Sequence, residues 1–159
     1  MDRRMVILTG RKRTGKTTVL TNWMDNNPAA GGILTPDKSG QRVIVHYPDK
    51  KIFPLQTDLI GDETIHIGRF YFSKKSFELA NKLLLEDINS PDLIWVVFDE
   101  IGPLELNEKG LYSSFIRALQ QTHTSNILLV VREGLVREVV EKFMIQDAVI
   151  IRKEGLDTL

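Results

Sequence analysis

Met5-Val6-Ile7-Leu8-Thr9-Gly10-Arg11-Lys12-Arg13-Thr14-Gly15-Lys16-Thr17-Thr18 is the stretch on which the reading of the whole chain turns. Its first half is a short apolar run with β-branched Val6 and Ile7, which reads as a buried strand. Its second half, Gly10 to Thr17, fits G-x-x-x-x-G-K-[ST], the phosphate-binding loop. Glycines at 10 and 15 let the backbone turn tightly with no Cβ in the way of a phosphate. Successive N–H groups then form an anion-binding concavity at the start of the next helix. In such a loop Gly10, Arg11, Lys12, Arg13, Thr14, Gly15, Lys16, Thr17 and Thr18 surround the phosphates. Lys16 reaches the β- and γ-phosphates, and the Thr17 hydroxyl ligates Mg²⁺.

Composition narrows the possibilities further. The 159 residues suit one domain, 1–159, with a substantial core. Lysine plus arginine total 21 and aspartate plus glutamate 21, so the chain lacks the basic excess that marks nucleic-acid or anionic-membrane binding. There is no cysteine, which excludes disulfides, thiolate metal sites and cysteine nucleophiles. Met1-Asp2-Arg3-Arg4 is basic, but the apolar run after it is too short for a signal peptide. The longest apolar run, Leu93 to Phe98, is too short to span a bilayer. The expectation is a soluble cytoplasmic protein whose oligomeric state is left open, a monomer included.

Outward from the loop, Val19, Leu20, Trp23 and Met24 recur at helical spacing from Lys16 to about Asp25, with Trp23 as a core anchor. Residues 29–72 read as a β-rich insertion over the nucleotide face. It holds a strand at Gly31–Thr35, a hairpin of 42–47 and 51–55 around Pro48-Asp49-Lys50, a polar loop at Gly61–Gly68 and a strand at Arg69–Phe72. Ser73 or Ser76 caps a helix to about Asn89, with Phe77, Ala80, Leu84 and Ile88 on one stripe. Leu93-Ile94-Trp95-Val96-Val97-Phe98 is continuously apolar, as suits a central parallel strand covered on both faces. After the turn at Ile101–Glu105 come a helix at about Gly110–Thr122, a strand at Ile127–Val131, a helical stripe through Leu135, Val139, Val140 and Phe143, and a last strand at Ala148–Ile151. Strands alternating with helices predict an α/β fold with a largely parallel sheet.

Asp99 and Glu100 follow the apolar strand, where ligands of open α/β sheets bind. The first carboxylate of such a pair holds Mg²⁺, and the second orients an attacking water. Phosphoryl transfer also calls for an extra cation. Arg132, directly after a strand, is the best placed, while Arg42, Arg69 and Arg137 are further candidates; each also reads as a solvated ion-pair partner. His46, His66 and His123 lack metal-site spacing and read as surface or loop residues. Glu105 reads equally as a structural hydrogen-bonding residue of its turn.

Gly10 to Thr18, followed by Phe98-Asp99-Glu100-Ile101-Gly102-Pro103-Leu104-Glu105-Leu106, resembles the thermophilic nucleoside-triphosphatase family, which includes the human cancer-related nucleoside triphosphatase. That family's strand ends in Asp-Glu-Ile-Gly, a variable residue and Met-Glu-Leu; here Leu104 stands for the methionine. Gly31–Thr35, Gly40-Gln41-Arg42-Val43 and Ile67-Gly68-Arg69-Phe70 keep the family's order, so the resemblance covers most of the chain. It implies a RecA-like three-layer α/β/α P-loop fold, with Asp99 on the Mg²⁺ side and Glu100 activating water. It also implies slow hydrolysis of ATP, GTP and other nucleoside triphosphates with little base selectivity. Two departures stand out: Arg11-Lys12-Arg13 where the family has proline and glycine, and Glu154-Gly155-Leu156-Asp157 where it carries Asn-Arg-Asp.

The leading reading is a Mg²⁺-dependent nucleoside triphosphatase with Lys16, Glu100 and Arg132 as catalytic residues. The alternatives are a nucleoside or nucleotide kinase, against which the β-rich segment and the lack of an arginine lid count, and a nucleotide-binding regulatory module. A guanine-nucleotide-binding protein of molybdenum-cofactor assembly would be of the latter kind, but no Asn-Lys-x-Asp motif is present.

Overall fold

The computed structural model describes residues 3–58, 61–121 and 125–159. The apolar run at the start becomes β1 (Met5–Gly10), and the phosphate loop leads straight into α1 (Lys16–Asp25). Then follow β2 (Ala30–Leu34), β3 (Asp37–Lys38), β4 (Gln41–Tyr47), β5 (Lys51–Pro54), β6 (Gln56–Thr57), β7 (Thr64–Ile67) and β8 (Phe70–Ser73). The second half holds α2 (Lys74–Ile88), β9 (Trp95–Asp99), α3 (Pro103–Leu106), α4 (Tyr112–Gln120), β10 (Asn126–Arg132), α5 (Val136–Phe143) and β11 (Val149–Ile151). Short 3₁₀ segments occupy Glu133–Leu135 and Lys153–Thr158. Among the described residues no helix is long and apolar enough to cross a membrane.

The main sheet runs β11-β1-β10-β9-β2-β4-β3, with β5 paired to β4. Every pair from β11 to β2 is parallel. Alternate residues of these strands feed two cores, as expected for strands covered on both faces. Ile7, Phe98 and Leu129 pack with Leu84, Phe115 and Val139 on the face covered by α2, α4 and α5. Val6, Leu8, Val97 and Leu128 pack with Leu20, Trp23 and Leu156 on the face covered by α1 and the C-terminal segment. Trp23 is a core residue, meeting Trp95 edge-on at 6.0 Å.

The β-rich segment after α1 is divided between two sheets. β2 lies parallel to β9 inside the main sheet, and β4 and β5 extend that sheet antiparallel. Among the described residues, β6-β8-β7 forms a separate small sheet. Several boundaries differ from the expectation. The supposed polar loop 61–68 contains β7, because Ile65 and Ile67 alternate with polar residues and pair with β8. The turn expected at Ile101–Glu105 contains a short helix, Pro103–Leu106, started by Pro103 and closed by Glu105. Ser73, not Ser76, caps α2: its hydroxyl accepts the Ser76 N–H at 3.2 Å. The expected end of α4 at Thr122 lies outside the described residues.

His46 is a correction. It is not a surface residue but is buried at the middle of the sheet extension, with Nδ1 2.9 Å from Asp49 Oδ1 and Nε2 2.9 Å from Asp87 Oδ2. The two carboxylates compensate a polar ring that burial alone would penalise. His66 stacks on Tyr71 in the small sheet. His123 lies outside the described residues.

Candidate active site

The order of the parallel strands sets the site. β10 lies between β1 and β9, so the phosphate loop and the Asp99-Glu100 pair emerge one strand apart at the same carboxyl edge. The register places Gly10 opposite Arg132, and Asp99 opposite Val130.

The loop itself is held by its own side chains. Arg13 (φ 60°) and Gly15 (φ 83°) are left-handed, which turns the backbone into α1. The Thr14 hydroxyl donates to the Arg11 carbonyl at 2.8 Å, and Lys16 Nζ donates to the Gly10 carbonyl at 3.1 Å. The Lys16 ammonium therefore lies folded over the loop, where an anion held by the loop would meet it. Thr17 and Thr18 are exposed in the first turn of α1. Arg11, Lys12 and Arg13 are also exposed; Arg11 Nε lies 3.7 Å from Glu133 Oε2.

Asp99 is buried at the end of β9, and its Oδ2 accepts the Thr35 N–H at 3.0 Å. Burial pushes its carboxyl up to about 6. The Thr35 amide and the charges of Arg42 and Lys16 act against that rise, and Glu100 adds to it. Glu100, the next residue, is partly exposed, and its Oε1 pairs with Arg132 Nε at 3.0 Å. Arg132 thus meets the acidic pair from the neighbouring strand.

Just beyond, Glu105 is buried and accepts two backbone N–H groups at 2.9 Å, from Gly102 and from Leu111. Burial raises its carboxyl to about 7 against those two bonds. The other arginine candidates fall elsewhere. Arg137 pairs with Glu141 at 3.0 Å along α5, and the Arg69 guanidinium lies 5.1 Å above the Phe70 ring. Arg42 Nη1 donates to the Thr35 carbonyl at 2.8 Å.

Two clefts open on this edge. One, of about 450 Å³, is bounded by Gly10–Lys12, Pro103 and Arg132–Leu135. The other, of about 290 Å³, lies between the loop and the C-terminal residues Arg152, Lys153 and Glu154. Glu154 begins the stretch that departs from the family's Asn-Arg-Asp, whereas Arg152 and Lys153 were not singled out by sequence reasoning. Lys153 Nζ donates to the Thr14 carbonyl inside the phosphate loop, and Arg152 pairs with Glu133. The only local signal was their basic character after an apolar strand.

Together, a loop of this geometry on β1, an acidic pair on β9 and one strand between them define a P-loop α/β protein of RecA-like architecture. The model of the NTPase family matches residues 5–153, and the chain belongs to that family. It is 28% identical over 141 residues to the nucleoside-triphosphatase THEP1 of Hyperthermus butylicus, covering 82% of this chain and 72% of that protein. Its identity to the nucleoside-triphosphatase THEP1 of Methanopyrus kandleri is also 28%, over 134 residues, covering 79% and 72%. The fold is shared with the crystal structure of THEP1 from Aquifex aeolicus, with TM-score 0.72, 18% identity and 96% and 92% of the two chains covered. It is shared equally with the solution structure of a human cancer-related nucleoside triphosphatase, with TM-score 0.74, 21% identity and 98% and 94% covered.

Proposed function

We propose that the chain is one P-loop domain that hydrolyses nucleoside triphosphates, ATP and GTP among them, to the diphosphate and phosphate with Mg²⁺ as cofactor. The observation that carries this reading is the placement of Glu100, beside the buried Asp99 and across one strand from the loop that holds Lys16. Family membership and the names of the relatives support the same activity.

The donor set suits Mg²⁺. Thr17 and Asp99 offer hard oxygen ligands, and among the described residues no cluster of three or more acidic or histidine side chains would hold a metal alone. A cation that keeps several waters and takes phosphate oxygens needs no more protein ligands than these two. When bound it supplies charge neutralisation between the β- and γ-phosphates.

The side chains divide the remaining work. Loop amides and Lys16 bind the β- and γ-phosphates and stabilise charge on the group in flight. Glu100 orients a water in line with the γ-phosphorus. As the water oxygen bonds to phosphorus, the bond to the β–γ bridging oxygen breaks and its electron pair leaves with the diphosphate. Arg132 restricts Glu100 to one position by holding its Oε1. Acceptance of several bases is part of the proposal and is what the nucleotide panel below tests.

The test is multiple-turnover phosphate release across a panel of nucleoside triphosphates, with and without Mg²⁺ and candidate acceptors. Glu100→Gln is expected to bind nucleotide normally and to lose about 10²-fold or more in turnover, and Lys16→Ala to lose binding or turnover. Undiminished phosphate release by Glu100→Gln would overturn the role given to Glu100. Phosphate appearing on an acceptor instead of in solution would point to a kinase.

A further inference from the structure

Charge builds on three equatorial oxygens during phosphoryl transfer, and a second cation beside the P-loop lysine lowers its energy. Several of this chain's arginines are already engaged. Arg132 is engaged by Glu100 at 3.0 Å. Arg11 and Arg152 both face Glu133, Arg137 faces Glu141, and Arg69 lies over Phe70.

Arg42 stands differently. It sits near the start of β4, which runs antiparallel to β2. Its place is therefore at the sheet edge where β2 and β9 end, the edge that carries Asp99. There its Nη1 donates to the Thr35 carbonyl at 2.8 Å, while the Thr35 N–H donates to Asp99 Oδ2 at 3.0 Å. A single residue thus links the guanidinium to the carboxylate, and the Arg42 charge is felt at Asp99. Among the described residues no ion pair engages Arg42. A neutral carbonyl aims the fork without cancelling its charge, which leaves Nε and Nη2 as donors.

We propose that Arg42 is a catalytic residue, donating to the γ-phosphoryl oxygens from the Asp99 side, opposite Lys16, while Arg132 is the positioning residue of Glu100. The proposal rests on the hydrolytic reading of the site. Arg42 stays protonated throughout: the new bond joins the water oxygen to phosphorus, the broken bond releases the diphosphate, and the water proton leaves through Glu100 or the product phosphate.

The experiment compares wild type, Arg42→Ala, Arg42→Lys and Glu100→Gln. For each it measures single-turnover phosphate release from ATP and GTP, the Kd for Mg·ADP, and the Kd for Mg·ADP with aluminium fluoride, a mimic of the group in flight. Because Arg42 is exposed, Arg42→Ala is expected to melt like wild type and to hold Mg·ADP within about 2-fold. Phosphate release is expected to fall about 10²-fold or more, and the aluminium fluoride complex to be lost. Added guanidinium is expected to restore part of the Arg42→Ala rate.

Wild-type turnover by Arg42→Ala, or a loss of Mg·ADP affinity as large as the loss of rate, would overturn the assignment. If Arg42→Ala melts lower, Arg42→Lys decides, since it keeps stem and charge but not the fork: an unchanged rate and fluoride affinity overturn the proposal, and loss of both with ADP binding intact supports it. Loss of turnover in Glu100→Gln but not in Arg42→Ala rejects Arg42 alone. Absence of turnover in wild type rejects the hydrolytic reading and Arg42 with it.

Discussion

Glu105 places a carboxylate where an apolar residue would be cheaper, and its two oxygens show why. Each accepts one backbone N–H, from Gly102 on one side and Leu111 on the other, so a single side chain ties down both ends of the turn after Glu100. Gly110 makes room for it: a Cβ there would lie 2.2 Å from Glu105 Oε2. Glutamine is nearly isosteric but replaces one acceptor with an N–H₂ that faces an N–H. Glu105→Gln is therefore expected to cost about 1–3 kcal/mol, read as a lower midpoint in urea, together with slower phosphate release at unchanged nucleotide affinity. In the sequence Glu105 could be read either way, because the two amides it satisfies are three and six residues on either side of a turn whose shape the pattern does not reveal.

At the scale of elements, β2 decides how closely the β-rich segment joins the nucleotide edge. Gly31 and Gly32 let β2 run alongside β9 with little space between backbone and neighbours. Gly32 has φ 109°, and a Cβ on it would lie 2.2 Å from the Val97 carbonyl oxygen. Gly32→Ala forces both a left-handed backbone on alanine and a backbone collision, and is expected to destabilise by about 3 kcal/mol. Equilibrium unfolding against wild type checks this, and a change below about 0.5 kcal/mol would mean the strand pair opens freely. The paired glycines mark a strand in the sequence but not its partner. Local pattern cannot tell a hairpin strand from one that crosses over to lie parallel to β9, since the contacts of β2 with β9 and α2 join residues far apart in the chain.

For the molecule as a whole, the buried titratable groups set opposite pH trends for stability and activity. Burial raises Asp99 to about 6 and Glu105 to about 7. Burial lowers His46, but hydrogen bonds and charge from Asp87 and Asp49 outweigh it and hold its proton more tightly than in the unfolded chain. In all three the folded state binds the proton more strongly, so the unfolded state holds fewer protons through this range and stability falls as pH rises. For the carboxyls the window runs from about 4 to about 7, and His46 extends it upward. The nucleotide-free protein is expected to melt several degrees higher near pH 5.5 than near pH 8, as scanning calorimetry would record. In the proposed hydrolysis Asp99 serves as a carboxylate, so phosphate release is expected to run the other way and rise from pH 5.5 to pH 8.

By itself the sequence determined the chemistry that is contiguous in the chain. A loop that cradles phosphate is made by neighbours, Gly10 to Thr18, and an acidic pair at the end of an apolar run is visible as Asp99-Glu100. Alternating apolar runs and helical stripes were enough for the α/β class, since each element's pattern reflects only whether its faces are buried. Only the tertiary structure decided what depends on contacts between distant residues. It paired Arg132 with Glu100, brought Arg42 beside Thr35 and Asp99, laid Lys153 on the carbonyl of Thr14, and buried His46 between two carboxylates. An arginine, lysine or histidine looks the same in a sequence whether it meets solvent or a site. Its partner is chosen by strand order and register, and those follow from how the whole core packs.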